Sequence, residues 1–306
     1  MSTVLSMEQV GRHLCAVGES PLWSPGEQAL YWVDIEGRAL LRWQVAGSRS
    51  QTWPLPERPA CIALHALGGL VCALESSLVH LHLHDDGQID VQPLGSVTHP
   101  QQGMRFNDGR CDRSGRFWVG SMVMNMALEA PAGRIYRLAS ATLTCPLNDP
   151  LVVPNGLAFS PDGATLYLSD SHPSVQLVWA FDLARDGTPT RRRIFIDMKL
   201  HPGRPDGAAV DVDGCYWTCG NDAGQVHRFT PDGRLDRSIV VPVSKPSMCA
   251  FGGPQLDELY ITSIRPAEPP PGEAALAGAT FVCRPGVQGL AETAFKPQNP
   301  KIPETA

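Results

Sequence analysis

One pattern of residues recurs along this chain, and that recurrence limits its fold more than any other feature. The stretch Glu19 to Asp34 (ESPLWSPGEQALYWVD) matches Asn155 to Asp170 (NGLAFSPDGATLYLSD). Both run from a polar residue through small and aromatic residues to Ser-Pro, then Leu-Tyr, then Asp. The pattern returns in Asn107–Gly120 and Asp206–Cys219, and in weaker form in Cys61–Leu74 and Met248–Thr262, six copies in all. Gly109 and Gly156 are 47 residues apart, and Gly156 and Gly207 are 51 apart. A period of about 40–50 residues built from short strands is the mark of propeller blades.

Within a unit, an apolar run meets a Pro/Asp-Gly turn and an aromatic, β-branched run follows. A third alternating segment comes next, as in Arg134–Leu138, Leu177–Asp182 and Gln225–Phe229. No stretch sustains apolar residues at helical spacing, and 29 glycines and 28 prolines favour turns. The expected fold is all-β: a six-bladed β-propeller forming a single domain over 1–306, with almost no helix. Strand-like segments at Val4–Val17 and Thr280–Arg284 imply that one terminus completes the other's blade. Closure of that kind removes the exposed edge of an open ring.

The copies also deliver chemistry. Gly18-Glu19-Ser20-Pro21, Arg105-Phe106-Asn107-Asp108-Gly109, Pro154-Asn155-Gly156 and Arg204-Pro205-Asp206-Gly207 each set a carboxylate or carboxamide beside glycine or proline. Glycine alone can mark a tight start to a blade. The polar residues are not explained that way, and at the start of an innermost strand they face the central channel, where one ligand meets several blades. Glu, Asn and Asp oxygens suit a hard divalent metal.

Composition narrows the remaining choices. At 43% hydrophobic residues the chain can bury a large core, and its net charge of −6 argues against nucleic acid and anionic membranes as partners. The one basic run, Arg191-Arg192-Arg193, reads as a solvated loop. The N-terminus lacks a secretory pattern, and no apolar run spans a membrane. Nine scattered cysteines read as small buried hydrophobes in a reducing, cytoplasmic setting. Cys215 and Cys219 have no second pair to make a zinc site. His80, His82 and His84 alternate on one strand face, a spacing that can bridge a metal but reads first as the solvated face of an outer strand. Asp170 reads either as channel lining or as a strand-end residue, and Asp108 as a channel or a hairpin residue. Nucleophile elbow, phosphate loop and dinucleotide fingerprint are absent.

At these motifs the chain resembles the senescence marker protein/regucalcin and gluconolactonase family, over nearly its whole length. The resemblance implies a propeller with one divalent metal ion in its central channel: Ca, Zn, Mn, Mg or Fe. It implies metal ligands at Glu19, Asn155 and Asp206, and substrate contacts at Arg105 and Asn107. Asn125 stands where animal members carry a substrate-contacting carboxylate. The implied reaction is hydrolysis of a sugar lactone, such as gluconolactone, xylonolactone or arabinonolactone, to the aldonic acid, by a monomer or weak homo-oligomer. By residue type, Asp206 suits a general base, Arg105 an oxyanion partner, and Asn107 two-way hydrogen bonding to hydroxyls. The alternative is a non-catalytic propeller that binds Ca or a sugar acid.

Overall fold

The computed structural model describes residues 2–3 and 5–297. Six sheets are built outward from six inner strands: Gly18–Ser24, Cys61–Leu64, Met104–Cys111, Pro154–Phe159, Arg204–Val210 and Pro246–Gly252. They define blades 1 to 6 of a β-propeller. Among the described residues, helix is confined to two 3₁₀ turns, Met126–Leu128 and Met198–Leu200. The ring closes as expected, because Glu8–Val10 pairs antiparallel with Thr280–Val282 and becomes the outer strand of blade 6. Val4, the first residue of the expected closing segment, lies outside the described residues, as do Met1 and 298–306. Ser2–Thr3 adds a parallel strand to blade 5, against Ser238 and Ile239.

Apolar residues gather in six clusters, one at each junction between neighbouring blades. Leu22, Tyr31 and Leu40 of blade 1 meet Ile62, Cys72 and Leu81 of blade 2. Val10 and Tyr260 of blade 6 meet Trp23 and Trp32 of blade 1, so the apolar layer runs across the closure. Eight of the nine cysteines are buried, while Cys145 is exposed. The Arg191–Arg193 run differs from expectation. It lies on the outer strand of blade 4, Pro189–Asp197, and not in a loop. There Arg192 stacks over Trp179 at 4.1 Å and pairs with Asp149.

The aspartates closing the repeat have a defined role. Asp34 and Asp170 are the last residues of the second strands of blades 1 and 4. Asp34 accepts the N–H groups of Ala16, Val17 and Gly37, each at 3.0 Å. Asp170 accepts those of Val152, Val153 and His172 at 2.7–3.1 Å. Each carboxylate thus satisfies two backbone donors of the linker entering its blade and one just past its own strand, where a buried unpaired N–H is costly. Asp170 is the strand-end residue of the two readings.

Beyond blade 6 the chain crosses the end of the ring where the inner strands finish. Gly289 bridges Asp211, Glu292 pairs with Arg110, the Phe295 N–H bonds Leu64 O, and the Lys296 N–H bonds Gly115 O. Phe295 is fully buried in the cluster shared by blades 2 and 3.

His80 is not solvated. It is buried, its Nε2 lies 2.7 Å from Gly68 O, and its ring stacks on His65 at 3.6 Å between centroids. Its partner is brought by the neighbouring hairpin, so strand alternation alone misassigns it. His82 packs on His80, and only His84 sits outside, paired with Asp90. Burial, then the charges His80 and His82 would carry, hold His65 down at about 4. An unfolded histidine titrates near 6.5. Below that pH the unfolded chain binds the additional proton, so stability falls as pH drops from about 6.5 to 4 and then levels off. His65 Nδ1 accepts the Leu67 N–H, a role asparagine can fill. His65→Asn is therefore expected to flatten the difference in urea midpoint between pH 7 and pH 4.5. An unchanged pH dependence would assign the effect to other groups.

Candidate active site

The polar motifs that resemble turns are bulges inside strands. Pairing between inner and second strands slips between Glu19 and Leu22, Phe106 and Gly109, Asn155 and Ala158, Pro205 and Ala208, and Pro246 and Cys249. A bulge re-aims side chains without ending the strand. The glycines permit it. Gly156 has φ +59°, and a Cβ on Gly207 would sit 2.3 Å from Met248 Cγ in blade 6. Blade 2, whose inner strand is the apolar Cys61–Leu64, keeps its register and offers no such polar group.

Four blades thereby bring Glu19, Arg105, Asn107, Asn155 and Asp206 to one cavity of about 100 Å³. Its apolar wall includes Val17, Ile35, Met122, Val153 and Ile264. Asn155 Nδ2 donates to Asp206 Oδ1 at 2.5 Å, and Asn155 Oδ1 accepts the Gly156 N–H at 3.1 Å. Glu19 accepts the N–H of Ser20 at 3.2 Å. Arg105 Nη1 donates to Phe106 O at 2.7 Å and to Asn107 Oδ1 at 2.9 Å. Asn107 Nδ2 donates to Pro154 O at 3.0 Å. Asn107 therefore holds Arg105 and ties blade 3 to blade 4, with one further hydrogen on Nδ2 to offer.

Asn125 is placed differently. It is exposed, and its side chain accepts the Ala127 N–H at 3.2 Å, capping the 3₁₀ turn. The neighbouring Met126 lines the cavity, so Asn125 stands on the rim.

Sequence reasoning passed over several residues that belong here. Asn221 Nδ2 donates to Asp206 Oδ2 at 2.5 Å, and Asn221 Oδ1 is buried without a partner. A signal existed. Asn221 ends the second strand of blade 5 opposite Arg204, as Asp34 faces Gly18 and Asp170 faces Pro154. Where blades 1 and 4 keep Asp for a linker, blade 5 turns an Asn onto Asp206. Arg204 and Ser171 also line the cavity. Asp108 is buried in the bulge of blade 3, not in a hairpin; its Oδ2 accepts the Leu157 N–H at 2.7 Å, and its Oδ1 has no partner.

The electrostatics are those of crowded anions. Burial, then Asp206 and Asp108, raise the Glu19 carboxyl well above its usual range. Burial pushes Asp206 up to about 7, against the pull of Arg204 and the Asn221 amide. Burial raises Asp108 as well. Two buried carboxylates, Asp108 and Asp206, the part-buried Glu19 and two acceptors without donors form an arrangement that a dication relieves. The donors at its centre are all oxygen, so the residues fit a hard divalent ion.

Among the described residues, His13, Cys15 and Asp34 also bring ligand-type atoms within 4.8 Å of one another, beside the junction of blades 6 and 1. There the Asp34 carboxylate already holds three backbone N–H groups. Burial, reinforced by Asp34, pushes the Cys15 thiol up to about 12.

Fold and site together define a class, a six-bladed propeller with an oxygen-rich pocket at the start of its inner strands. The profile of the SMP-30/gluconolactonase/LRE-like family matches residues 17–265, and the chain belongs to that family. It is 37% identical to a 6-deoxy-6-sulfogluconolactonase of Pseudomonas putida, over 95% of this chain and 98% of that one. It is 34% identical to an L-arabinolactonase of Azospirillum brasilense, over 91% and 92%. A solved structure of a calcium-binding regucalcin from Agrobacterium tumefaciens superimposes with TM-score 0.87 at 27% identity, covering 97% of this chain and 100% of that one. No helix among the described residues is long and apolar enough to cross a membrane.

Proposed function

We propose that this protein hydrolyses a sugar lactone to its aldonic acid, with one divalent metal ion held by Glu19, Asn155 and Asp206. The observation that carries the reading is the pair of carboxylates, Glu19 and Asp206, gathered with Asn155 and Arg105 in one cavity. Lactonase activity in two relatives supports it. These act on lactones with and without a charged substituent, so they leave the substrate's charge open.

When bound, a divalent ion supplies Lewis-acid polarisation of the lactone carbonyl and lowers the pKa of water. The chain's own residues do the rest. Asp206 takes a proton from the attacking water at a carboxylate oxygen, while the Asn155 and Asn221 amides hold that carboxylate in one orientation. Arg105, locked by Phe106 O and Asn107, offers its remaining N–H groups to the negative charge that develops on the carbonyl oxygen. The spare hydrogen of Asn107 and the rim position of Asn125 serve the sugar hydroxyls. The apolar wall limits water around the ring.

The test is proton release from several sugar lactones, with and without EDTA and added metal. Chelation is expected to stop turnover and metal to restore it. Metal binding without turnover of any lactone would favour the non-catalytic reading. Glu19→Gln and Asn155→Ala are each expected to weaken metal affinity by roughly 10–100-fold, since even residues supporting a ligand cost that much. Calorimetric titration of wild type and variants measures this, and unchanged affinities would move the ion elsewhere.

A further inference from the structure

Two guanidinium groups line the cavity, and the fold uses them unequally. Arg105 is anchored within its own blade segment, as described above. Arg204 begins the inner strand of blade 5, two residues before Asp206. Its Nε donates to Asp222 Oδ2 at 2.6 Å, and its Nη1 donates to Ser171 O at 3.1 Å and Ser171 Oγ at 3.4 Å. Its Nη2 finds no acceptor among the described residues. The side chain is only 19% exposed and lines the cavity.

The charge around it is unbalanced. Asp222 is shared between Arg204 and Lys245, leaving one positive charge in excess at this wall. Near Arg105 the charges balance, because Arg58 is shared by Glu36 at 3.0 Å and Glu75 at 2.9 Å, which sets two carboxylates against two guanidinium groups. The cationic excess therefore lies on the blade 5 side, where Arg204 and Lys245 share the one carboxylate of Asp222. Residues two apart on a strand lie about 6–7 Å apart at Cα. Arg204 and Asp206 line the same cavity from neighbouring positions of that strand.

We propose that Arg204, backed by Lys245, is a subsite for an oxyanion carried at the end of the sugar remote from the lactone carbonyl, so that the preferred substrate is an acidic sugar lactone bearing a sulfonate, phosphate or carboxylate. This rests on the lactonase reading above. A planar guanidinium with both Nη2 hydrogens free suits such a group, and a hydrogen bond between charged partners exceeds one to a hydroxyl.

The test compares glucono-1,5-lactone with its 6-phospho and 6-deoxy-6-sulfo forms, on wild type, Arg204→Met and Arg204→Lys. Wild type is expected to favour the charged lactones in kcat/KM by about 10–100-fold, the equivalent of one charged hydrogen bond. In Arg204→Met that ratio collapses toward unity, and Arg204→Lys retains part of it. Inorganic phosphate is expected to inhibit wild type competitively, and Arg204→Met more weakly. Thermal melting shows whether each variant is folded, and the wild-type ratio stands whether or not they are. Hydrolysis of all three lactones at equal efficiency overturns the anion subsite and leaves the lactonase reading intact. An equal loss on every lactone in both folded variants makes Arg204 a support for Asp206 instead. No hydrolysis of any lactone overturns both readings.

Discussion

Asp206→Ala is expected to lower lactone turnover by roughly 10²–10⁴-fold at saturating metal, the range of a lost general base. Excess metal restores a site weakened only in affinity, so measuring at saturation separates the two roles assigned to this carboxylate. The change also strips the amides of Asn155 and Asn221 of their common acceptor, so Asp206→Asn is the companion variant. It keeps the volume and an acceptor oxygen while removing the base. Both variants are expected to be slow even when calorimetry shows the ion bound. Wild-type turnover in either one, with metal in excess, would reassign the proton transfer.

Phe295→Ala is expected to cost about 3–5 kcal/mol of stability, as other buried phenylalanine truncations do. Phe295 is fully buried, packs beside His65 at 5.5 Å between centroids, and lies in the apolar cluster of blades 2 and 3. Its backbone bonds to Leu64 O and the Ala66 N–H hold the segment in place. Denaturant titration reads the loss directly. A change below about 1 kcal/mol would mean that the segment is dispensable to the ring.

The blade count was legible because each blade repeats the same local problem and solves it with similar residues. The convergence of Glu19, Arg105, Asn107, Asn155 and Asp206 followed from their shared place in that repeat, and the cavity gathers all five. What stayed hidden depended on departures from the repeat or on distant contacts. Asn-Gly and Asp-Gly resemble turn dipeptides, yet here they are mid-strand bulges, since only the pairing partner reveals a slipped register. Asn221 and Arg204 acquire meaning only when blade 5 is laid over blades 1 and 4. Asn125 sits on a 3₁₀ turn whose direction no alternation encodes. The crossing of 285–297 has no period at all, because its contacts are scattered over blades 2, 3, 5 and 6.

That crossing also governs traffic. Below the cavity it leaves voids of only about 10 Å³ each, lined on one side by Ser20, Arg110 and Glu292 and on the other by Phe159, Val210 and Leu290. A space that size admits no more than a single water. The propeller is therefore a cup and not a pipe, and any molecule the cavity accepts must back out through the doorway by which it came. Successive visitors queue at one threshold, and a departing molecule excludes the next until it has cleared the rim.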